Sequence, residues 1–198
     1  VPNGSYTVTP SKTGYVFTPA SQAVTVSGGN KTANFSSAVQ TFTITGVISG
    51  AGGSGATVKL TGSSTATATA NSSGAYTFSG LANGSYTVSP SKTGYIMTPA
   101  SQSVTISGAN KTANFTSAQT YTISGTISGG GRSGATVKLT GSATATTTTS
   151  SSGAYTFSGL ANGSYTVTPS KSGHLYIPGS RSTTLNSRNV TGLNFISF

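Results

Sequence analysis

The chain repeats itself, and that self-similarity limits the fold more than any other feature of the sequence. Residues 40–118 and 119–198 are near copies of one another, and residues 1–39 copy only the second half. Gly46 matches Gly125, Lys59 matches Lys138, Tyr76 matches Tyr155 and Asn83 matches Asn162, while Asn3-Gly4 matches Asn83-Gly84. Two full units preceded by half of one are therefore expected: 1–39 as the C-terminal half of a unit, then 40–118 and 119–198 as complete ones. Units this small bury a limited fraction of their surface, and stacking them end to end would add to their stability.

The pattern inside each unit has the period of a strand. Phe42, Ile44 and Ile48 alternate with polar residues, as do Val58 and Leu60 around an outward Lys59, and Tyr76 and Phe78 before Leu81. Thr65 to Ala70 alternates Thr with Ala, which suits a strand because Thr is β-branched. Tyr86 and Val88, then Val104 and Ile106, then Ala113 and Phe115 supply three further strands. Ser72-Ser73-Gly74 and Lys92-Thr93-Gly94 read as turns, and Asn83-Gly84 reads as a tight turn because both residues tolerate positive φ. No segment sustains a helical period. Seven short antiparallel strands separated by turn signals point to an all-β, Ig-like sandwich in each complete unit. Linkers as short as Ala38-Val39-Gln40 and Ala118-Gln119 favour a stiff rod over beads on a flexible string.

Composition removes most chemistry. Hydrophobic residues make up 33% of the 198, which implies thin cores. With no Cys, disulfides and thiolate metal sites are excluded. With no Asp or Glu, a Ser-His-acid triad cannot be written and the carboxylate oxygens that hard cations prefer are missing. His174, the only histidine, stands where the earlier units carry Tyr15 and Tyr95, so packing is its expected role. No cofactor is expected. The net charge of +10 comes from ten Lys and Arg spread singly: Lys12, Lys92 and Lys171 recur at one turn and Lys31 and Lys111 at another. A dense basic patch interleaved with stacking aromatics is lacking, so nucleic acid is not an expected partner. No apolar run is long enough to span a membrane.

The stretches G-x-I-x-G (Gly46 to Gly50), A-T-V-K-L-T-G, S-G-A-Y-T-F-S-G-L-A-N-G-S-Y-T-V and S-K-T-G-Y resemble the carboxypeptidase regulatory-like and collagen-adhesin B-type repeats, over essentially the whole chain. That resemblance implies a transthyretin-like β-sandwich and an origin in bacterial surface or secreted proteins. The tandem units would then serve as a structural module of an extracellular fibre, pilus-like filament or adhesin stalk, without enzymatic activity. Their expected partners are further units of a fibre or of a longer chain. A carbohydrate- or surface-binding module and an accessory segment of a secreted hydrolase are the other functions that such repeats carry. The family usually has an Asp before the S-G-x-Y turn, where this chain has Asn71 and Ser150. Some B-type repeats form a Lys–Asn isopeptide that needs a carboxylate, and none is available beside Lys59 or Lys138.

Two sets of residues are the candidates for a working surface. Thr65, Thr67 and Thr69, and likewise Thr144, Thr146 and Thr148, share one strand face and could face or carry glycans. Tyr76, Tyr86, Tyr155 and Tyr165 alternate with other apolar residues on inward faces, whereas Tyr121 and Tyr176 are less clearly placed, which makes these two the candidate surface aromatics. The Asn-x-Ser/Thr sequons at Asn30, Asn71, Asn83, Asn110 and Asn189 arise by chance in so Asn-, Ser- and Thr-rich a chain. The half unit would leave Tyr6, Val8 and Phe35 uncovered and its strand edges unpaired. A segment of a longer parent chain is the favoured completion, and strands from a neighbouring chain are the other.

Overall fold

A computed structural model describes residues 1–198, and every regular element in it is a β-strand. The first segment holds β1 (Gly4–Val8), β2 (Tyr15–Thr18), β3 (Gln22–Val26) and β4 (Ser36–Val39). The middle segment holds β5 (Phe42–Ser49), β6 (Thr57–Gly62), β7 (Ala66–Thr69), β8 (Ala75–Leu81), β9 (Gly84–Ser91), β10 (Tyr95–Thr98), β11 (Gln102–Ile106), β12 (Lys111–Thr112) and β13 (Phe115–Gln119). The last holds β14 (Tyr121–Gly129), β15 (Thr136–Gly141), β16 (Ala145–Thr148), β17 (Ala154–Leu160), β18 (Gly163–Ser170), β19 (Tyr176–Ile177), β20 (Arg181–Leu185) and β21 (Phe195–Ser197).

In the middle segment two sheets face each other. One runs β11-β9-β6-β7, antiparallel throughout. The other is centred on β5, which pairs antiparallel with β8 on one side and parallel with β12 and β13 on the other, with β10 outside β13. The last segment repeats this with β16-β15-β18-β20 against β17-β14-β21-β19. The alternation of the sequence decides which side chains meet between the sheets. Ile44, Ile48, Val58, Leu60, Tyr76, Phe78, Val88 and Phe115 form one core, and Ile123, Ile127, Val137, Leu139, Tyr155, Phe157, Val167 and Phe195 form a second. Each fully buried aliphatic side chain contributes about 1.5–3 kcal/mol, which is how a sequence this poor in apolar residues still closes two cores.

The seven expected strands are joined by β10 and by the two-residue β12. β10 forms an antiparallel pair with β13, from Tyr95 opposite Gln119 to Thr98 opposite Thr116, in a stretch read from sequence only as the end of a turn. Asn83-Gly84 is also used differently from the sequence reading. It joins strands that lie in different sheets, β8 beside β5 and β9 beside β6, so it closes no hairpin. Asn83 keeps negative φ, and its Oδ1 accepts the Gly108 amide at 2.8 Å. The following Tyr86 hydroxyl donates to the Ala82 carbonyl at 2.9 Å, and Tyr6 to Pro2 and Tyr165 to Ala161 do the same. This is a tyrosine-corner contact, and it explains why Asn-Gly-Ser-Tyr stands at this point in all three segments.

The segments join without slack. One residue, Thr120, lies between β13 and β14, and its amide donates to the Gly94 carbonyl at 2.8 Å. At the earlier junction the Gln40 amide donates to the Gly14 carbonyl at the same distance.

Candidate functional site

Along β5 the backbone comes so close to the last strand that only glycine fits at one point. A Cβ on Gly46 would run into the Ala113 carbonyl and the Tyr76 hydroxyl, and one on Gly125 would meet the Leu193 carbonyl and the Tyr155 hydroxyl. The space is taken by a buried hydrogen bond, from the Tyr76 hydroxyl to the Ala113 carbonyl and from Tyr155 to Leu193. Phe78 packs edge-on to Tyr76 at 5.8 Å between centroids, and Phe157 to Tyr155 at 6.0 Å. Burial pushes both phenols up to about 12; for Tyr155 the positive charge of Arg181 partly opposes the rise. These tyrosines are structural donors, held protonated.

Beside them, asparagine side chains replace ladder carbonyls where the last strand breaks. Asn110 Oδ1 accepts the Thr43 amide at 2.9 Å and Asn114 Oδ1 accepts the Val47 amide at 3.0 Å. Asn189 and Asn194 do the same for Thr122 and Thr126, both at 2.9 Å. Sequence reasoning passed over Asn110 and Asn189 as chance sequons and gave Asn114 and Asn194 no role; the recurring N-K-T-A-N-F was the signal that could have found the pair in the middle segment. Asn71 accepts from the Ser73 and Ala75 amides, which closes the turn before β8 without the Asp usual in similar repeats.

The candidate threonines lie on the outer face of a sheet. Thr67 and Thr69 are on the edge strand β7 with Thr65 just before it, all exposed, opposite Lys59 and Thr57 of β6. Thr146 and Thr148 of β16, with Thr144 before it, sit the same way opposite Lys138 and Thr136. None of the six hydroxyls makes an internal hydrogen bond with a side chain or backbone group. The face continues across β9 and β11 with Thr87, Ser89, Ser103 and Thr105, so it is almost entirely hydroxyl with one ammonium near its middle.

Tyr121 and Tyr176 are both half-buried, with part of each ring against the second core. Tyr176 donates to the Gly131 carbonyl at 3.2 Å, and burial raises its pKa. His174 occupies the place that Tyr95 has in the middle segment: each ring lies over a glycine, Gly131 or Gly52, that could not carry a Cβ. The turn lysines are tethered, Lys92 to the Ser54 carbonyl at 2.5 Å and Lys171 to the Ser133 carbonyl at 2.6 Å. Lys12 lies 4.0 Å from the centroid of Tyr15, a cation–π contact. No three side chains of His, Cys, Asp or Glu gather to hold a metal ion. No helix is long and apolar enough to cross a membrane.

Comparison with curated proteins gave no match. Among solved structures the chain is similar to the Bacillus anthracis TIE protein (12% identity, TM-score 0.38), where 89% of this chain spans 38% of the other. It is similar to a Streptococcal ancillary pilin (15%, TM-score 0.44; 100% of this chain, 76% of that one) and to the minor pilin of Streptococcus agalactiae (15%, TM-score 0.37; 79% and 96%). The profile of the carboxypeptidase regulatory-like domain matches residues 43–118 and again 122–196. With that profile covering both complete sandwiches and most of the chain, the protein belongs to the carboxypeptidase regulatory-like domain family.

Proposed function

We propose that the chain is a structural module of an extracellular fibre, pilus-like filament or surface stalk. The observation that carries this reading is the coupling of two self-contained cores through a one-residue, hydrogen-bonded junction. Such a junction suits spacing and extension, since end-to-end units with pinned linkers hold their separation where flexible ones collapse it. Tyr76, Tyr176, Asn114 and Lys92, side chains that could have served chemistry, are each occupied with a backbone hydrogen bond. Immunogold electron microscopy of the native source with antibody raised against the chain tests the proposal. Labelling along surface filaments is the expected result; label confined to the cell interior, or to a soluble secreted enzyme, overturns it.

The hydroxyl faces support a second reading within the same role. Thr65, Thr67, Thr69, Thr144, Thr146 and Thr148 are exposed and unpartnered, and we propose them as glycan-bearing or glycan-facing positions. Tryptic mapping of native material tests it, with hexose-sized mass additions expected on the peptides holding these residues and unmodified peptides as the contrary result.

A further inference from the structure

Lys92 is a cation without a counter-charge. It is half-buried at the turn that follows β9, and its ammonium is fixed there. The Nζ donates to the Ser54 carbonyl at 2.5 Å and stands 5.2 Å from the centroid of the Tyr95 ring. A charge drawn partly out of water is ordinarily paired, yet the chain has no Asp or Glu to pair it. The Ser54 carbonyl occupies one N–H of the ammonium and leaves the others open. Lys92 lines a groove of about 820 Å³, a volume within the range of ligand sites. Pro90 and Met97, both buried, form its apolar wall, and the exposed hydroxyls of Thr57 and Thr93 border it without a partner in the protein. Every residue that lines it falls between Gly55 and Ala100, so the groove is complete within the middle sandwich. The last sandwich has a smaller copy of about 540 Å³, in which Lys171 donates to the Ser133 carbonyl at 2.6 Å. There His174 replaces Tyr95, and the bulkier Tyr176 stands at the place of Met97.

We infer that the groove beside Lys92 is a binding site for an acidic polysaccharide, with one hexuronate residue seated in it. Charge sets the sign of the ligand. The chain carries a net +10 with no side-chain anion of its own, so the counter-charge for a fixed ammonium must come from outside, and the surrounding field draws it in. The rest of the lining sets its class. A uronate carboxylate meets the Lys92 ammonium in a charge-assisted hydrogen bond. The ring hydroxyls meet Thr57 and Thr93, and the C–H face of the pyranose lies on Pro90 and Met97. A free phosphate makes no use of the apolar wall, and a fatty acid makes no use of the hydroxyls. The groove of the last sandwich is the weaker site, because Tyr176 takes up space that Met97 leaves open and its hydroxyl is spent on the Gly131 carbonyl. The inference stands apart from the fibre proposal and from the threonine faces: it concerns what one sandwich holds, whatever the chain builds.

The test titrates the 198-residue chain with tetragalacturonate and follows binding by calorimetry and by amide chemical shifts. Saturable binding is expected, with shifts concentrated at Gly55–Thr57 and Ser91–Met97 and weaker ones at Lys171–Tyr176. Maltotetraose, neutral and of the same length, should bind on the order of tenfold more weakly, the effect of one lost charge-assisted hydrogen bond. Lys92→Gln should weaken the middle site by the same factor. Lys31→Gln removes the same charge from an exposed lysine elsewhere and should leave the affinity unchanged. Met97→Tyr guards against a variant that fails to fold, since the last sandwich already carries tyrosine at that place. It should bring the middle site down to the affinity of the last one while the melting temperature holds. Several results overturn the inference: no saturable binding, equal losses in Lys92→Gln and Lys31→Gln, or shifts spread over β6 and β7 in place of the groove. Displacement of tetragalacturonate by an equal concentration of inorganic phosphate overturns it as well, since the groove would then be a site for any anion.

Discussion

Asn114→Ala and Asn34→Ala remove the same side chain from the same six-residue motif, and only the first should lower stability. At Asn114 the lost atom is the acceptor of the Val47 amide at 3.0 Å, and no backbone carbonyl replaces it at the break between β12 and β13. One such bond contributes about 1 kcal/mol. Spread over a unit the size of the middle sandwich, that loss lowers Tm by about 4–8 °C. Asn34 accepts nothing, so Asn34→Ala should stay within about 0.5 kcal/mol of the parent chain. Differential scanning calorimetry separates the two cases: one transition moves down in Asn114→Ala and none moves in Asn34→Ala. Equal shifts in the two variants, or a silent Asn114→Ala, would refute the reasoning that these asparagines act as substitute ladder carbonyls.

Tyr76→Phe keeps the ring between Phe78 and Phe115 but leaves the buried Ala113 carbonyl without its donor, and should cost about 1–3 kcal/mol by chemical denaturation. Gly125→Ala drives a Cβ into the Leu193 carbonyl, which is backbone and cannot swing aside. It should destabilise the last sandwich by on the order of 3 kcal/mol or more, seen as loss of its own unfolding transition while the middle one persists. Acid should have little effect. With no side-chain carboxylate to protonate, Tm at pH 2.5 should match that at pH 7 to within a few degrees, where most proteins lose much of their stability. Base should act strongly. Tyr76 and Tyr155 have folded pKa values raised to about 12 above the ordinary 10, so the stability they confer is whole below pH 10 and is lost as pH rises toward 12. A melting series from pH 2 to 12 checks both limbs.

Much of the fold was legible because alternation reports directly on burial. Val58, Leu60, Tyr76, Phe78, Tyr86 and Val88 all face a core, as their period-two spacing implies. Pairing was less legible, because a strand's pattern states which face is buried and not which neighbour lies alongside. Nothing in Phe42–Ser49 announces that it runs parallel to the last strand of its own unit. β10 was missed because Pro99 and the Lys92-Thr93-Gly94 turn look like loop, and only its pairing with β13 makes it a strand. Asn83-Gly84 does make a short connection, between Leu81 and Gly84, but Asn83 keeps negative φ and its side chain instead holds a loop across the unit. The functional surface was legible only at the level of exposure. The six threonines sit at every second position and face outward, while the half-buried state of Tyr121 and Tyr176 depends on contacts from other strands.

The parallel pairing of β5 with β13, and of β14 with β21, has a mechanical consequence. The first and last strands of each sandwich are neighbours that run in the same direction, so tension applied through the two ends of a unit draws them past each other lengthwise. The hydrogen bonds between them, including those to Asn110 and Asn114, are then loaded together in shear. An antiparallel terminal pair would open from one end, one bond after another. A chain of such units should yield at high force and in steps, one sandwich at a time, each step releasing its hidden length and leaving the next unit as strong as before.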